Sequence, residues 1–448
     1  MGNKLEKSRK GCLPSQALRP LRKQANILGL SNQARIIYEI HHHGNSCSRL
    51  VQDRIDSDEE VRCCVFAPDD ENFLITASIP NGNDSIVRHG NGLGHLRVFD
   101  VGVSDRDTGK IACKKQILTY YSEDCDISSD GNWISFVLND GRGEIGLLKR
   151  SKTNRSDVSD RLVKLQPQCN GITGQTLVCQ FSPDGSSLLS AASLDFHTIR
   201  ETNELRVWNV KSNQMTKKIS LRSLAVFCGY ITGCRFSPDG HYIVVTTSQE
   251  QICVLKTKNL EVACMIRKRC RDNMCWAVFN PRWTHEELVC CLQDGRVTVG
   301  HLEHLDYKDP QSPLKYTCQN EAKVVSSSTI HSCQFTHDGS SIAIGTSDSN
   351  ILLLNSANLQ VISSLDCKSI SDSFQQNVKV NGISFSRSLQ YLAAAYSDSR
   401  VRVWQLPVRF DLRHMCRVVV LYHVPANKIV HLPVPAAVKD YLLYMPQG

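Results

Sequence analysis

Apolar and polar positions in this chain follow one unit that recurs seven times. Each unit begins with an apolar anchor, followed by a polar turn and an apolar run, as in Phe181-Ser182-Pro183-Asp184-Gly185. The anchors are Phe66, Ile127, Phe181, Phe236, Phe279, Phe335 and Phe385. Pro fixes φ at the first corner of such a turn, and Gly accepts the positive φ that follows. The pattern therefore predicts a strand, a tight turn and a second strand in every unit.

Two further strands complete each unit. A polar turn with an aspartate follows the second strand, as at Asp294, Asp348 and Asp398, and the third strand ends in Trp208 or Trp404 in two of the units. A fourth, more polar strand leads to the next unit. Four antiparallel strands that recur seven times predict an all-β, seven-bladed β-propeller.

The two ends of the repeat region predict how the ring closes. The seventh unit has only three strands, which end near Leu406, and Arg35–Ile40 is an isolated strand pattern. If this strand supplies the missing outer strand, the last sheet keeps no exposed edge. We therefore expect a flexible basic leader over residues 1–32 and a propeller over residues 33–407 that strand 35–40 closes. A separate segment then covers residues 408–448.

The first half of the C-terminal segment has the period of a helix. Leu412, Cys416, Val419 and Val420 fall at i, i+4, i+7 and i+8, which predicts one narrow apolar stripe. Cys416 is a small residue in the middle of this stripe, so a partner surface can approach closely. Pro425 ends the predicted helix.

The second half of the segment combines a turn and a helix. Leu432-Pro433-Val434-Pro435 predicts an extended turn with an apolar tip, because two prolines fix the backbone around one apolar residue. Val438, Tyr441 and Leu442 follow at i, i+3 and i+4, which predicts a second amphipathic helix. The segment is too small for a core of its own, so its apolar faces must pack on the propeller or on another protein.

The repeat unit resembles the WD-repeat family. The dipeptides Phe99-Asp100, Trp208-Asn209 and Trp404-Gln405 are the nearest forms of its closing Trp-Asp. The anchors are spaced about 53 residues apart on average, which is longer than the roughly 40–45 residues of that repeat. Insertions such as Ile79–Gly94 and Leu194–Asn203 account for much of the difference.

The C-terminal segment resembles a SOCS box, in two parts. L-x-x-x-C-x-x-x-V at Leu412, Cys416 and Val420 is similar to the elongin-binding element of that family. L-P-V-P-x-x-V-x-x-Y-L from Leu432 to Leu442 is similar to the cullin-5-type element that follows it. Asp411 stands where the family usually has a small residue, and Asp is a good cap at a helix start.

The resemblance implies a substrate-recognition subunit of a cullin-5/elongin B/C ubiquitin ligase. The propeller would recruit an unidentified protein target, and the C-terminal segment would dock to elongin C and to cullin-5, whose ring-finger subunit brings a ubiquitin-charged enzyme. The implied elongin contacts are Leu412, Cys416, Val419 and Val420. The implied cullin contacts are Leu432, Pro433, Val434, Pro435, Val438, Tyr441 and Leu442. The alternative is a WD-repeat scaffold in intracellular signalling, whose C-terminal segment packs inward.

The net charge of +8 is concentrated at the N-terminus, because residues 1–35 alone carry +7. The folded body therefore shows no general preference for nucleic acid. The basic leader is a solvated, disordered segment in the simplest interpretation; contact with nucleic acid, acidic lipid or acidic protein, or a targeting role, are the alternatives. The polar start of the chain and the lack of an apolar run of about 18 residues predict a chain without a membrane span, inside the cell in the cytoplasm or nucleus.

The 20 cysteines are explained by the repeat rather than by disulfides or zinc. Five of them lie two residues before an anchor, at Cys64, Cys125, Cys179, Cys234 and Cys333. Equivalent positions on different blades cannot pair without collapsing the repeat, so we expect reduced thiols buried between blades. The chain has adjacent cysteine pairs but no Cys-x-x-Cys cluster, so no metal is predicted.

No catalytic residue and no cofactor are predicted. Gly90-Asn91-Gly92-Leu93-Gly94 leads into a strand rather than a helix, so it fails the context of a dinucleotide site. The aspartates Asp130, Asp184, Asp239 and Asp338 lie in equivalent turns of different blades and are interpreted as structural. The sequence therefore predicts a non-catalytic binding protein.

Overall fold

Seven four-stranded antiparallel sheets form the folded body. The computed structural model describes residues 35–41, 59–80, 94–104, 111–119, 122–138, 143–151, 158–166, 174–194, 202–221, 230–249, 251–267, 274–281, 287–305, 312–366, 378–406, 420, 424, 429 and 431–442. In six sheets the strands pair in chain order, and in the seventh the outer strand comes from the N-terminal side.

The strands lie in four rings. The innermost strands are β2 (Glu59–Ala67), β6 (Cys125–Ile127), β10 (Gly174–Phe181), β14 (Ile231–Phe236), β18 (Cys275–Phe279), β22 (Ile330–Phe335) and β26 (Val380–Phe385). The second strands are β3 (Asp70–Pro80), β7 (Trp133–Val137), β11 (Ser187–Leu194), β15 (Tyr242–Thr247), β19 (Glu287–Leu292), β23 (Ser341–Thr346) and β27 (Tyr391–Tyr396). The third strands are β4 (Gly94–Ser104), β8 (Ile145–Arg150), β12 (Thr202–Asn209), β16 (Gln251–Lys256), β20 (Arg296–His304), β24 (Ile351–Asn355) and β28 (Arg400–Gln405). The outer strands are β1 (Arg35–His41), β5 (Ile111–Thr119), β9 (Val158–Leu165), β13 (Gln214–Ser220), β17 (Val262–Arg267), β21 (Leu314–Lys323) and β25 (Val361–Leu365).

The innermost strands contact one another in a closed ring, from β2 to β6 and onward until β26 meets β2 again. The protein is therefore a seven-bladed all-β propeller, as the repeat pattern predicts. We number the blades 1 to 7 from β2 to β26. Strand β1 pairs antiparallel with β28, from Arg35 opposite Gln405 to His41 opposite Arg400. It gives blade 7 the outer strand that the strand count predicts, whereas the proposed domain boundaries stay predictions.

Burial decreases from the second strands to the outer strands. Every residue of β15 and β23 is buried, because both faces of each strand pack against neighbouring blades. Strand β13 alternates between exposed and partly buried residues. The seven anchors are all buried at the end of an innermost strand. The hydrophobic core is thus distributed over the seams between blades rather than gathered in one centre.

A repeated side-chain network holds the turn after the anchor in four of the blades. In blade 3, the Ser182 hydroxyl donates to Asp184 Oδ1 at 2.5 Å and accepts from the Ser187 N–H at 2.9 Å. The same two bonds recur in blades 2, 4 and 6 through Asp130, Asp239 and Asp338. Gly185 in this turn has a φ of 69°, which glycine adopts without strain. These aspartates are therefore structural, as their repeat position predicts.

The repeat-equivalent cysteines are free thiols in the seams. Cys64, Cys125, Cys179 and Cys234 are buried as predicted, whereas Cys333 is partly exposed. The adjacent pair faces opposite ways, because Cys63 Sγ lies 3.6 Å from the Cys125 carbonyl of blade 2 and Cys64 Sγ lies 3.9 Å from the Gly382 carbonyl of blade 7. Burial raises the pKa of the Cys64 and Cys179 thiols well above the usual range. These groups are packing residues at neutral pH.

A buried arginine joins blades 1 and 2. Arg150, at the end of β8, has a side chain only 1% exposed. Its Nη1 lies 2.6 Å from Asp69 Oδ1, and its Nη2 lies 2.9 Å from Asp70 Oδ2. Its guanidinium also lies 3.9 Å from the centre of the Phe73 ring. Two carboxylates and an aromatic face thus compensate the buried charge.

Candidate functional site: the channel mouth and the C-terminal segment

The innermost strands of all seven blades surround a central cavity of about 840 Å³. Every blade repeats the same strand order, so all innermost strands run in the same direction along the channel. We call the end where these strands begin the channel mouth. The opposite end, where the anchors lead into their turns, is the turn face.

Five of the innermost strands carry a register shift at the same place, four residues before the anchor. In each case, two consecutive residues of the second strand pair with innermost-strand residues that are two positions apart. One residue of the innermost strand is therefore skipped, which is the geometry of a β-bulge. The skipped residues are Arg62, Leu177, Thr232, His331 and Asn381, and all five line the cavity. We call these five residues the bulge ring. Strand β18 in blade 5 has no such shift, so the ring is a property of particular blades.

The bulge ring is polar and basic on blades 6, 7 and 1. Arg62 Nη2 lies 3.3 Å from Glu60 Oε2, and Arg62 Nε lies 3.6 Å from Glu123 Oε2. Asn381 Nδ2 donates to Glu60 Oε1 at 3.0 Å. Burial first, and then the charges of Lys379 and Arg62, lower the pKa of His331 to about 4. His331 is therefore neutral at physiological pH.

The mouth is apolar and aromatic on blades 3 to 5. Leu177, Met274 and Trp276 line the cavity and are partly buried. Tyr230 lies beside them with 38% of its surface exposed. The Trp276 and His331 rings meet edge to face with their centres 6.2 Å apart. This contact joins the aromatic half of the mouth to the basic half.

Two carboxyl groups of blade 2 lie deeper in the channel wall. Asp124 Oδ2 accepts from the Cys179 N–H at 3.1 Å, and Asp126 Oδ2 accepts from the Phe181 N–H at 2.7 Å. Arg235 of blade 4 reaches across to Asp124, at 3.8 Å. Burial raises the pKa of both carboxyls, that of Asp126 to about 7, although the hydrogen bonds and Arg235 oppose this rise. Both groups act first as braces between blades 2 and 3.

The bulge-ring residues occupy equivalent positions in the repeat alignment, but the alignment alone does not show that they form a ring. Each member lies four residues before an anchor, and Arg62, Leu177, Thr232 and His331 each lie two residues before one of the repeat cysteines. The repeat cysteines are recognisable in the sequence because they share a residue type. The bulge residues differ in type, so only the strand register shows that they belong together.

The described part of the C-terminal segment holds the predicted turn and the second helix. Helix α1 spans Ala436–Leu442. The Leu432 N–H donates to the Ile429 carbonyl at 3.0 Å, and the Val434 N–H donates to the Leu432 carbonyl at 2.9 Å. Pro435 then opens the helix, where its carbonyl accepts from the N–H groups of Val438 and Lys439.

Five apolar side chains of this segment form one small cluster. Ile429 and Leu442 are buried, and the partly buried Val420, Val424 and Leu432 pack against them. Three residues implied as partner contacts, Val420, Leu432 and Leu442, thus belong to this cluster. The Val424 N–H donates to the Val420 carbonyl at 2.8 Å, which is a helical i to i−4 bond.

The outward surface of the segment is formed by other members of the predicted set. Pro433 and Pro435 are exposed, Val434 is half-buried, and Val438 is 41% exposed. Tyr441 belongs to α1. Leu412, Cys416 and Val419 lie outside the described residues, as do most of the predicted first helix and the side chain of Tyr441. The roles assigned to all these residues stay predictions.

The C-terminal segment contacts the turn face of the propeller. Arg387, in the turn of blade 7, donates through Nη1 to the Pro68 carbonyl of blade 1 at 2.8 Å. Its Nη2 lies 3.5 Å from the Val424 carbonyl, at the outer limit of a hydrogen bond. The segment therefore lies at the seam of blades 7 and 1, on the end of the propeller opposite the channel mouth.

Comparison with known families matches two of the repeats. The family described as WD domain, G-beta repeat (WD40) matches residues 221–255 and residues 368–405. These ranges contain the first three strands of blades 4 and 7. The chain carries WD40 repeats in a seven-bladed propeller. No curated protein matches the chain significantly.

Metal-ligand clusters and membrane-spanning helices are absent from the described residues. In the described ranges, no three His, Cys, Asp or Glu residues are grouped so that they could hold a metal ion. The helices described there are all too short or too polar to cross a membrane.

Proposed function

We propose that this WD40 propeller is the substrate-recognition subunit of a cullin-5/elongin B/C ubiquitin ligase. The propeller recruits a protein target, and the C-terminal segment docks to elongin C and to cullin-5. The main support is the order of the two motifs, together with the two exposed prolines, Pro433 and Pro435, and the exposed Val438. A segment that serves only as a cap gains nothing from two exposed prolines and an exposed apolar side chain.

In this role the chain carries out no bond chemistry. It holds a target close to a ubiquitin-charged enzyme that the ring-finger subunit of the ligase brings. The rate of transfer then rises because the reactants are held together, not because a side chain of this protein reacts. The opposite positions of the channel mouth and the C-terminal segment suit this role, since a target and the ligase can bind at the same time.

The elongin contact is tested by changing the first helix. Leu412→Pro should abolish co-purification with elongin C, because it removes a leucine whose burial in the partner would contribute about 1.5–3 kcal/mol and because it breaks the predicted helix. Co-expression of wild type with elongin B/C should raise the soluble yield, since a partner of the folded state stabilises that state. Val438→Ala, in the second half, is the matched control and should retain elongin. Equal recovery of elongin with Leu412→Pro would exclude a SOCS box.

The cullin contact is tested separately in the second half. A triple variant in which Pro433, Pro435 and Val438 are all replaced by Ala loses exposed groups and keeps the Ile429–Leu442 cluster in place. We expect cullin-5 to be lost from a pull-down while elongin B/C remains, because rigid prolines lower the entropy lost on docking. His431→Ala, also exposed, is the control. Full cullin-5 recovery with the triple variant would refute the assignment of this turn.

A WD-repeat scaffold in intracellular signalling, without a ligase role, is the second candidate. The Arg387–Val424 contact favours it, because this contact joins the segment to the propeller. The packing of Val420, Leu432 and Leu442 in one cluster also favours it, because these side chains are partly or fully covered within the segment. The elongin pull-down separates the two candidates. A scaffold keeps its target when Leu412 is changed and recovers no elongin in either form.

A further inference from the structure

The channel mouth has two chemically different halves. Blades 6, 7 and 1 place His331, Lys379 and Arg62 around one side of the cavity. Blades 4 and 5 place Tyr230 and Trp276 on the other side. The halves meet where the Trp276 and His331 rings pack edge to face. One ligand that enters the mouth can therefore touch both.

Two residues of the basic half reach the cavity from β-bulges. Arg62 and His331 are each the extra residue of a bulge, although they lie 269 residues apart in the chain. A bulge disrupts the ladder and redirects a side chain, and bulges are common next to binding sites. In blade 5, where the shift is absent, Trp276 lines the cavity from a regular strand.

The basic half is prepared for negative charge. The cations of Lys379 and Arg62 disfavour protonation of His331, and burial does so more strongly. An anion placed among the three groups would be stabilised by the same field. Arg62 is held by Glu60 at 3.3 Å and by Glu123 at 3.6 Å, distances longer than the roughly 2.7–2.9 Å of a strong charge-assisted hydrogen bond. An incoming oxyanion can therefore compete with these carboxylates.

The size of the cavity restricts the kind of partner. About 840 Å³ holds a few side chains but excludes a folded domain. A protein partner must therefore enter with a loop or a chain end. The exposed part of Tyr230 and the edge of Trp276 offer apolar contact to a bulky side chain of that segment.

We propose that the channel mouth binds a peptide segment that carries an anionic oxygen group beside a bulky apolar side chain. The anionic group, a carboxylate or a phosphoryl group, lies among Arg62, His331 and Lys379, and the apolar side chain covers Tyr230 and Trp276. The proposal rests on the proposed function, because this segment would belong to the recruited target. It assigns recognition to the face opposite the C-terminal segment.

The acidic groups of the mouth do not favour a cationic segment. Glu123 lies against Arg62, and Asp124 already accepts from the Cys179 N–H and faces Arg235. A lysine or arginine side chain would have to displace these partners and approach Lys379 as well. We therefore expect a cationic peptide to bind more weakly than an anionic one, and the experiment includes it as the competing occupant.

The test is fluorescence anisotropy with full-length protein and short labelled peptide mixtures at low salt. Four mixtures share random flanks without acidic residues and a fixed leucine near the centre, and differ only in a central Glu, phosphoserine, Ser or Lys. We expect the Glu or phosphoserine mixture to bind at least about tenfold more tightly than the Ser mixture, and added salt to weaken this binding. Binding of phosphoserine alone identifies a phosphoryl source, and binding of both shows that a carboxylate suffices.

Two lysines provide matched variants. Lys379→Glu should weaken binding of the anionic mixtures by about tenfold or more, because it reverses a charge at the mouth. Lys315→Glu makes the same change on outer strand β21 and should leave binding unchanged. Both lysines are exposed, so thermal melting should show that both variants fold. Tyr230→Ala should weaken the same mixtures through the apolar half.

Three results would overturn the proposal: equal or tighter binding of the Ser or Lys mixture, no binding of any mixture, or unchanged binding by Lys379→Glu. The measurement uses neither elongin nor cullin, so failure here leaves the docking assays intact. Loss of elongin docking, in turn, does not alter peptide binding at the opposite face.

Discussion

The propeller and the C-terminal segment bury their apolar side chains in different ways. Each blade packs both faces against neighbours, and β23 is buried along its whole length. In the C-terminal segment, the described cluster has two buried residues, Ile429 and Leu442, with three partly buried ones around them. The first arrangement is held by a closed ring, whereas the second leaves exposed apolar groups such as Val438. The difference shows that the propeller has an extensive shared core, whereas the described part of the segment has a small one.

The largest effect should come from opening the ring. A truncation that removes residues 1–42 deletes β1 and exposes the edge of β28, so the protein should aggregate or lose most of its soluble yield. A truncation that removes residues 1–30 retains β1 and should be nearly silent. Equal thermal midpoints for the two truncations would contradict the role of β1 in closure.

The next effect concerns the arginine that joins blades 1 and 2. Arg150→Ala leaves Asp69 and Asp70 without their buried counter-charge, so the free energy of unfolding should fall by about 3 kcal/mol. Lys149→Ala, one residue earlier and exposed, should change it by less than about 1 kcal/mol. Urea denaturation measures both variants. Similar values for the two would show that the buried pair contributes little.

A local effect is expected in the C-terminal segment. Leu442→Ala removes a buried side chain from the cluster, at a cost of about 2–5 kcal/mol to the local structure. Amide exchange in α1 should accelerate, while the thermal midpoint of the propeller stays unchanged, because the cluster is separate from the blade seams. Val438→Ala, which is exposed, should leave the exchange unaltered. A lowered propeller midpoint with Leu442→Ala would mean that the two regions unfold together.

The smallest effect is a difference between two aspartates of blade 2 in how pH changes their contribution to the thermal midpoint. The pKa of Asp126 is raised by burial to about 7, so its contribution to stability is full below about pH 4 and is lost as the pH rises through 7. Asp126→Asn stays neutral and can still accept from the Phe181 N–H. Its thermal midpoint should exceed that of wild type by about 2–4 °C near pH 8, and the gap should shrink toward pH 5.

Asp130 provides the contrast for this measurement. Burial acts to raise its pKa, but hydrogen bonds from Ser128 and Asn132 outweigh burial and lower it. Its stabilising contribution is therefore present above about pH 4 and is lost as the pH falls further. Asp130→Asn should lower the midpoint near pH 8. The same sign for both variants at that pH would contradict the assignment of Asp126 to a desolvated site.

The repeat pattern alone determined the seven blades, the anchors, the structural turn aspartates and an outer strand at Arg35–Ile40, which the structure extends to His41. These features are local or periodic: a turn needs its own residues, and a strand shows its two faces by alternation. The spacing of Val438, Tyr441 and Leu442 predicted the second helix of the C-terminal segment, which the structure places at Ala436–Leu442. The elongin and cullin assignments rest on motif resemblance and stay predictions.

Only the tertiary structure decided which side chains meet. Arg150 finds Asp69 and Asp70 about 80 residues away along the chain, and nothing in the local pattern marks that pairing. The bulge ring depends on a register shift that skips one residue in each of its strands, so Arg62 and His331 reach the channel through backbone register rather than residue type. Likewise, Leu432 and Leu442 belong to the cullin-type motif in the sequence, yet in the structure they pack in one cluster with Ile429. Periodicity fixes which face of an element is apolar, whereas the neighbour that covers it is set by long-range packing.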